Sequence, residues 1–172
     1  GGTATSGADY TAGPVVVSFG IGETTKAVPI EILGDQTVED NQTIGLSLTV
    51  FSGTGIAGGA NSTTYTINND DTATLTLSIP TITETDSDQT VNATVTSNAV
   101  VEGGFTVAFS TALVSAEVTD VTFDTSSPLT FAGTAGEVEN IQLTIKGDTI
   151  VEDNETFTIT LGAIGSTSTE QS

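Results

Sequence analysis

A repeated stretch is the strongest constraint on the fold of this chain. Residues 34–48 read GDQTVEDNQTIGLSL, and residues 147–161 read GDTIVEDNETFTITL, 113 residues further on. Each copy is an acidic turn followed by alternating apolar and polar residues, which is typical of a strand with one buried face. The repeat is longer than the roughly 20–50 residues of solenoid repeats. The sequence therefore predicts two related β-domains.

The same alternation recurs along most of the chain. Since several short alternating segments separated by turn residues are typical of an antiparallel sandwich, we predict an all-β fold of two packed sheets per domain. In the first half we expect strands at Val15–Phe19, Lys26–Leu33, Thr43–Val50 and Thr63–Ile67. In the second half we expect strands at Leu75–Ile79, Val91–Val95, Phe105–Phe109, Leu129–Phe131, Ile141–Ile145 and Phe157–Leu161.

The repeat places the domain boundary between residues 71 and 72. The first repeat, 1–71, contains no counterpart of the three strands predicted between residues 75 and 109. The second repeat, 72–172, contains no clear counterpart of Thr63–Ile67, although Gly165–Ser172 is a candidate for part of it. An incomplete sandwich exposes its core face and a sheet edge. We therefore expect the missing strands to come from further chain or from a strand-donating neighbour.

The composition excludes several classes of function. With 22 acidic residues against two lysines, the net charge is −20, which disfavours nucleic acid and anionic membranes as partners. The chain contains no Cys and no His, so disulfides, thiolate chemistry and the usual general base are excluded. It also has no apolar run of the roughly 20 residues needed to insert into a bilayer. Paired carboxylates could hydrolyse glycosides, but with no Trp and two Tyr there is no aromatic platform for a sugar, and we expect no enzyme.

Residues 2–71 resemble the Calx-beta family. The resemblance rests on GTATSGADYTAG, on VVVSFGIGETTKAVPIEILGDQTVEDNQTIGLSL and on TYTINNDD, which follow one another in this order. The second repeat matches through VEDNETFTITL, whereas Ser115–Asp120 replaces the GTA…DY segment and Val121 stands where Tyr is usual. The resemblance implies tandem Ig-like antiparallel β-sandwiches with calcium sites at one end of each.

The acidic residues of both repeats are the candidate metal ligands. Ca²⁺ takes six to eight oxygen ligands, so a site needs several carboxylates brought together by the fold. The resemblance implies that the first repeat uses Asp9, Asp35, Glu39, Asp70 and Asp71, and that the second uses Glu84, Asp120, Asp148, Glu152 and Glu155. Gly34, Gly147 and Gln42 replace acids that the family usually carries, which predicts weaker binding or fewer ions. The alternative interpretation is that these acids are solvated turn residues.

These observations lead to a functional hypothesis and two competitors. We expect a non-catalytic structural or adhesive module of a long, repetitive cell-surface or secreted protein, stiffened by Ca²⁺ at its domain junctions. Its partners would be adjacent repeats or strand-donating neighbours, with an extracellular ligand bound elsewhere. The competitors are a calcium-sensing regulatory module and an accessory domain of a secreted enzyme.

Overall fold

The chain divides into two units, each built from antiparallel strands. The computed structural model describes residues 2–11, 13–49 and 61–166. Unit 1 is Gly1–Asp70 and unit 2 is Asp71–Ser172. The described residues form no helix long and apolar enough to cross a membrane.

Unit 1 contains β1 (Tyr10–Thr11), β2 (Glu31–Ile32), β3 (Thr37–Val38), β4 (Gln42–Ser47) and β5 (Ser62–Ile67). Unit 2 contains β6 (Leu75–Ser78), β7 (Gln89–Ser97), β8 (Val100–Val101), β9 (Phe105–Leu113), β10 (Val121–Phe123), β11 (Leu129–Phe131), β12 (Val138–Ile145) and β13 (Phe157–Ser166).

Unit 2 is built from two antiparallel sheets. The first has the strand order β10-β12-β7-β6, and the second has the order β11-β9-β13. The longest ladder joins β12 to β7, running from Val138 opposite Thr96 to Ile145 opposite Gln89. The β9–β13 ladder shifts register between Leu161 and Ile164, where the strand is irregular. This arrangement is the β-sandwich that alternation in the sequence predicts.

The core of unit 2 lies between these sheets. It consists of alternate residues from five strands: Ala93, Val95, Phe105, Val107, Val121, Leu129, Phe131, Ile141 and Leu143. Since successive side chains of a strand point to opposite faces, these positions are the inward half of each alternating pattern. The rings of Phe105 and Phe131 stack at a centroid distance of 4.7 Å across the β9–β11 ladder. Burial of these side chains is the main source of stability for the unit.

The turn between β11 and β12 is stabilised by a single carboxylate. Glu137 accepts hydrogen bonds from the backbone amides of Ala132, Gly133 and Thr134, at 2.7, 2.9 and 3.0 Å. Gly133 has a φ of +93°, and a Cβ there would lie 2.1 Å from the Val101 carbonyl oxygen. The amide donors lower the pKa of Glu137, because they stabilise its charged form.

Unit 1 has two short ladders and little buried apolar surface. β1 pairs with β2, with Tyr10 opposite Ile32, and β4 pairs with β5, with Ile44 opposite Tyr65. Ile44 is the one fully buried apolar residue among those described in this unit. The N-terminal segment is fastened to β4 by a 3.0 Å hydrogen bond from the Ala4 amide to the Thr43 carbonyl. Gly2 approaches the same carbonyl so closely that a Cβ would overlap it.

The all-β prediction is confirmed, but in unit 1 one strand prediction is wrong and another is confirmed only in part. Val15–Phe19 is not a strand, and within Lys26–Leu33 the ladder is confined to Glu31–Ile32. A strand exists only where a neighbour takes up its backbone hydrogen bonds, and Pro29 also removes one donor. In unit 2 β12 has neighbours on both edges and reaches eight residues. Strand β10 was not predicted. Strand β13 continues to Ser166 and so includes the first two residues of the candidate segment Gly165–Ser172, whose remaining residues, 167–172, lie outside the described residues.

Phe131 and its sequence counterpart Phe19 test how much each unit depends on its core. Phe131 is 1% exposed and Phe19 is 57% exposed. We expect Phe131→Ala to lower the free energy of unfolding of unit 2 by about 3–5 kcal/mol, because it leaves a cavity in a packed core. Phe19→Ala should cost about 0.5 kcal/mol or less. Urea denaturation followed by circular dichroism measures both, and equal losses would contradict this account of the two cores.

Candidate metal centres

Three acids of unit 1 meet at one point. Carboxylate oxygens of Asp9, Asp35 and Glu39 all lie within 4.8 Å of one another. Asp9 is buried, with 9% of its surface exposed, whereas Asp35 is exposed and Glu39 is intermediate. Asp9 precedes β1, and the other two lie on the turn between β2 and β4. The cluster therefore links two segments that are about 25 residues apart in sequence.

Backbone hydrogen bonds hold these acids in place. The Leu33 amide donates to the Asp9 carbonyl at 2.9 Å, and the Thr5 amide donates to Asp9 Oδ2. The Thr37 amide donates to Asp35 Oδ1 at 2.7 Å, which makes the acidic turn an Asx turn. These contacts fix where Asp9 and Asp35 enter the cluster.

Gln42 supplies a polar oxygen beside this cluster. Its Nε2 donates to Glu39 Oε2 at 2.6 Å. Its other polar atom, Oε1, is buried and has no hydrogen-bond partner in the described structure. A buried carbonyl oxygen without a donor is costly, and a bound cation would satisfy it. The family resemblance predicts a lost ligand at Gln42, but the structure leaves an acceptor there.

Unit 2 carries an equivalent cluster. Carboxylate oxygens of Asp120, Glu152 and Glu155 lie within 4.8 Å of one another. The supporting bonds repeat those of unit 1: the Lys146 amide donates to the Asp120 carbonyl at 2.8 Å, as Leu33 does to Asp9. The Ile150 amide donates to Asp148 Oδ1 at 2.6 Å, as Thr37 does to Asp35. The same local geometry therefore occurs at corresponding positions of both repeats.

Asp120 and Glu155 shift each other's pKa in this cluster. A hydrogen bond to Asp120, burial of the carboxyl group, and the negative charges of Asp120, Glu152 and Glu117 together raise the pKa of Glu155 to about 7. The Glu117 amide, more than any other group, lowers the pKa of Asp120. Of these two carboxyl groups, Glu155 is therefore the one whose pKa favours proton uptake. Its sequence counterpart in unit 1 is Gln42, whose amide does not titrate.

Further acids surround Glu152. Its pKa is raised by burial and by the charges of Asp148, Asp120, Glu84 and Glu117, in that order. The charges of Asp148 and Glu84 therefore act on Glu152, although neither residue is one of the three whose carboxylates meet within 4.8 Å. The charge of Glu117, which is not among the predicted ligands, also raises the pKa values of Glu152 and Glu155. Its position three residues before Asp120 on the same loop was the available signal.

The terminal acids of the first repeat lie outside the three-carboxylate clusters. Asp70 and Asp71 are not among the acids that meet within 4.8 Å in the described residues. The neighbouring Asn69 does contact the acidic turn. Its side-chain Oδ1 accepts a hydrogen bond from the Glu39 backbone amide at 3.4 Å, and its backbone amide donates to Asn41 Oδ1 at 2.9 Å. Asp70 thus follows a residue that is tied to the cluster. The role of Asp70 and Asp71 as ligands stays a prediction.

The donor sets suit a hard divalent cation. All the converging atoms are carboxylate or amide oxygens, which Ca²⁺ and Mg²⁺ prefer and which softer metals do not. Two oxygens bound to one Ca²⁺ at about 2.4 Å can lie no more than about 4.8 Å apart, and the oxygens of both clusters meet this limit. Asp9, Asp35, Glu39 and Gln42 would hold an ion in unit 1. Asp120, Glu152 and Glu155 would hold one in unit 2.

Comparison with family models agrees with this geometry. The model of the Calx-beta domain matches the chain twice, at residues 1–71 and 68–171. The chain belongs to the Calx-beta domain family. No curated protein gives a significant match. Calx-beta domains are non-catalytic β-domains related to calcium binding, so the acidic clusters of this Calx-beta pair lie in a family for which such sites are expected.

The raised pKa of Glu155 predicts a pH-dependent stability in the ion-free state. Between the ordinary value of 4.5 and about 7, the folded chain binds a proton that the unfolded chain has lost. Stability should therefore fall as the pH rises across this window. We expect the melting temperature in EDTA to decrease between about pH 5 and about pH 7, and Glu155→Gln to reduce the slope.

Glu102→Gln is the matched control, because it removes one exposed acid away from both clusters. It should leave the pH slope unchanged. A wild-type melting temperature that stays constant or rises over the same window would contradict the raised pKa of Glu155.

Proposed function

We propose that this Calx-beta pair is a non-catalytic structural module in which Ca²⁺ occupies the two acidic clusters and stiffens each unit. The observation that carries the proposal is the recurrence of one arrangement in both units. In each unit, an Asp before a strand and a turn Glu meet within 4.8 Å, and a second turn Asp closes an Asx turn. Solvated turn acids have no reason to converge in the same way twice, because like charges repel.

The proposed mechanism is electrostatic. Without an ion, the carboxylates of a cluster repel one another, and Glu155 takes up a proton to relieve part of this repulsion. A bound Ca²⁺ would neutralise two charges and join segments that lack ladder partners, such as residues 148–156 between β12 and β13. The ion would then order the loop end of the sandwich, which no disulfide can do in a chain without Cys.

We further propose that the module belongs to a repetitive cell-surface or secreted protein. Calx-beta domains typically lie on extracellular or cell-surface proteins, and two successive matches show that this chain is a tandem array. Extracellular calcium is plentiful enough to fill weak sites with dissociation constants of about 0.1–1 mM. The role would be mechanical: to hold an adhesive region, located elsewhere, at a distance from the cell. Adjacent repeats would be its immediate partners.

Calcium should raise the melting temperature in a saturable and ion-specific way. At a free Ca²⁺ concentration about 100 times the dissociation constant, one site adds about 2.7 kcal/mol to the free energy of unfolding. For units of this size that corresponds to a rise of roughly 10–20 °C. Differential scanning calorimetry in EDTA and across a Ca²⁺ titration measures this, with Mg²⁺ as the comparison ion.

Two charge-removing variants locate the effect. Asp9→Asn should reduce the calcium-dependent rise of unit 1, and Asp120→Asn should reduce that of unit 2. Glu31→Gln and Glu102→Gln remove the same charge outside the clusters and should retain the full rise. A melting temperature unaffected by Ca²⁺ would contradict the proposal. Saturation at micromolar Ca²⁺ would instead favour a calcium sensor over a structural module.

A further inference from the structure

Unit 2 has one basic side chain, and it contacts the loop before β7. The whole sequence contains two basic residues, Lys26 and Lys146. Lys146 Nζ lies 2.7 Å from Asp88 Oδ2, although the two residues are 58 positions apart in sequence. The β7–β12 ladder ends with Gln89 opposite Ile145. Asp88 and Lys146 are the next residues on these two strands, so their ion pair closes the end of the ladder.

A second bond joins the same carboxylate to the start of the acidic turn. Asp88 Oδ1 accepts a hydrogen bond from the Gly147 backbone amide at 3.1 Å. Lys146, and after it the Gly147 amide, lowers the pKa of Asp88, because both contacts stabilise the charged form. Gly147 also lies directly against the loop, since a Cβ there would be 2.3 Å from the Thr85 carbonyl oxygen. We refer to residues 84–88 as the front loop of unit 2.

The front loop borders the acidic cluster of unit 2. Glu84 belongs to this loop, and its charge acts on Glu152 of the cluster. In addition, the Lys146 backbone amide donates to the Asp120 carbonyl at 2.8 Å. Lys146 therefore connects two segments that carry acids. Its backbone bonds to the segment of Asp120, and its side chain bonds to the front loop.

The side chain of Lys146 is not needed for this backbone bond. Leu33 occupies the corresponding position of unit 1, 113 residues earlier, and its amide makes the equivalent bond to the Asp9 carbonyl at 2.9 Å. Leucine has no charge, so strand geometry alone does not explain a lysine at this position. The ion pair is also a weak source of stability, because the Lys146 and Asp88 side chains are 42% and 53% exposed. Its effect should therefore lie in the position of the front loop.

We propose that Lys146 and Asp88 are positioning residues, which hold the front loop beside Asp120, Glu152 and Glu155 and thereby raise the affinity of this cluster for Ca²⁺. The inference rests on the proposed calcium site, but neither residue needs to contact the ion. A loop that is already in place loses less conformational entropy when the ion binds. Interactions outside the ligand shell of a metal commonly tune its affinity in this way.

Removing both charges of the ion pair separates the effect of position from that of charge. The double variant Lys146→Met/Asp88→Ala leaves the net charge unchanged and abolishes both contacts of Asp88. Isothermal titration calorimetry in an Asp9→Asn background, where the site of unit 1 is weakened, reports the calcium affinity of unit 2. We expect the dissociation constant to rise about five- to tenfold, the equivalent of one exposed ion pair and one hydrogen bond. Lys146→Arg keeps a cation opposite Asp88 and should retain the affinity.

Unit 1 offers a matched control. Lys26 Nζ lies 2.7 Å from Glu23 Oε1, and Glu23 Oε2 accepts a hydrogen bond from the Gly20 amide at 2.7 Å. The double variant Lys26→Met/Glu23→Ala therefore removes the same two kinds of contact away from the acidic clusters. In the same Asp9→Asn background it should leave the calcium affinity of unit 2 unchanged.

A measurement without calcium tests the position of the front loop directly. In EDTA, hydrogen exchange of the Gly147 amide, followed by NMR, should be faster in Lys146→Met than in the wild type. The reason is that the ion pair holds in place the carboxylate that accepts the hydrogen bond of this amide. Lys26→Met should leave the exchange rate unchanged.

The outcomes distinguish this inference from the proposed function. An unchanged dissociation constant in Lys146→Met/Asp88→Ala, an equal loss of affinity in the control variant, or unchanged exchange at Gly147 would overturn the inference and leave the calcium site intact. A wild-type chain without saturable calcium binding would contradict the proposed function itself, and the effect on affinity with it.

Discussion

Like charges held close together are the constraint on which the loop end of this molecule depends. Carboxylates within 4.8 Å of one another repel strongly unless a proton or a cation lies between them. The fold brings these acids together despite this repulsion. Backbone amides hold the side chains of Asp9 and Asp120 in place just before β1 and β10. This repulsion can be reduced in two ways: by protonation of Glu155, which its raised pKa favours, and by a bound divalent ion, which is our proposal.

The two units use one template with different degrees of closure. Register, backbone bonds and turn geometry agree between β1–β2 and β10–β12, down to the contacts of Asp9 and Asp120. Unit 2 also contains β6, β7 and β9. Its two sheets together bury nine apolar residues between them. Unit 1 places similar apolar residues in the same positions and leaves them exposed. The internal repeat thus serves as its own comparison structure, in which positions that are buried in unit 2 are exposed in unit 1.

Sequence reasoning succeeded where the signal is local or repeated. Alternation places Ile141, Leu143, Phe157 and Ile159 on the inner faces, because the side-chain period of a strand is two. The family pattern placed the turn acids together with Asp9 and Asp120. The alternation pattern failed for Val15–Phe19. A strand forms only beside a neighbouring strand, and the local sequence pattern does not show whether that neighbour is present. It also missed the roles of Gln42 Oε1 and Glu117, since these depend on contacts between side chains distant from any motif.

The most direct test of the calcium sites is a crystal structure of the chain grown with Ca²⁺ and recorded at a wavelength where calcium scatters anomalously. The account predicts anomalous density between Asp9, Asp35 and Glu39, with Gln42 Oε1 as a ligand, and density among Asp120, Glu152 and Glu155. Oxygen distances should be about 2.3–2.6 Å. Density confined to lattice contacts, or clusters that bind only water at millimolar Ca²⁺, would contradict it.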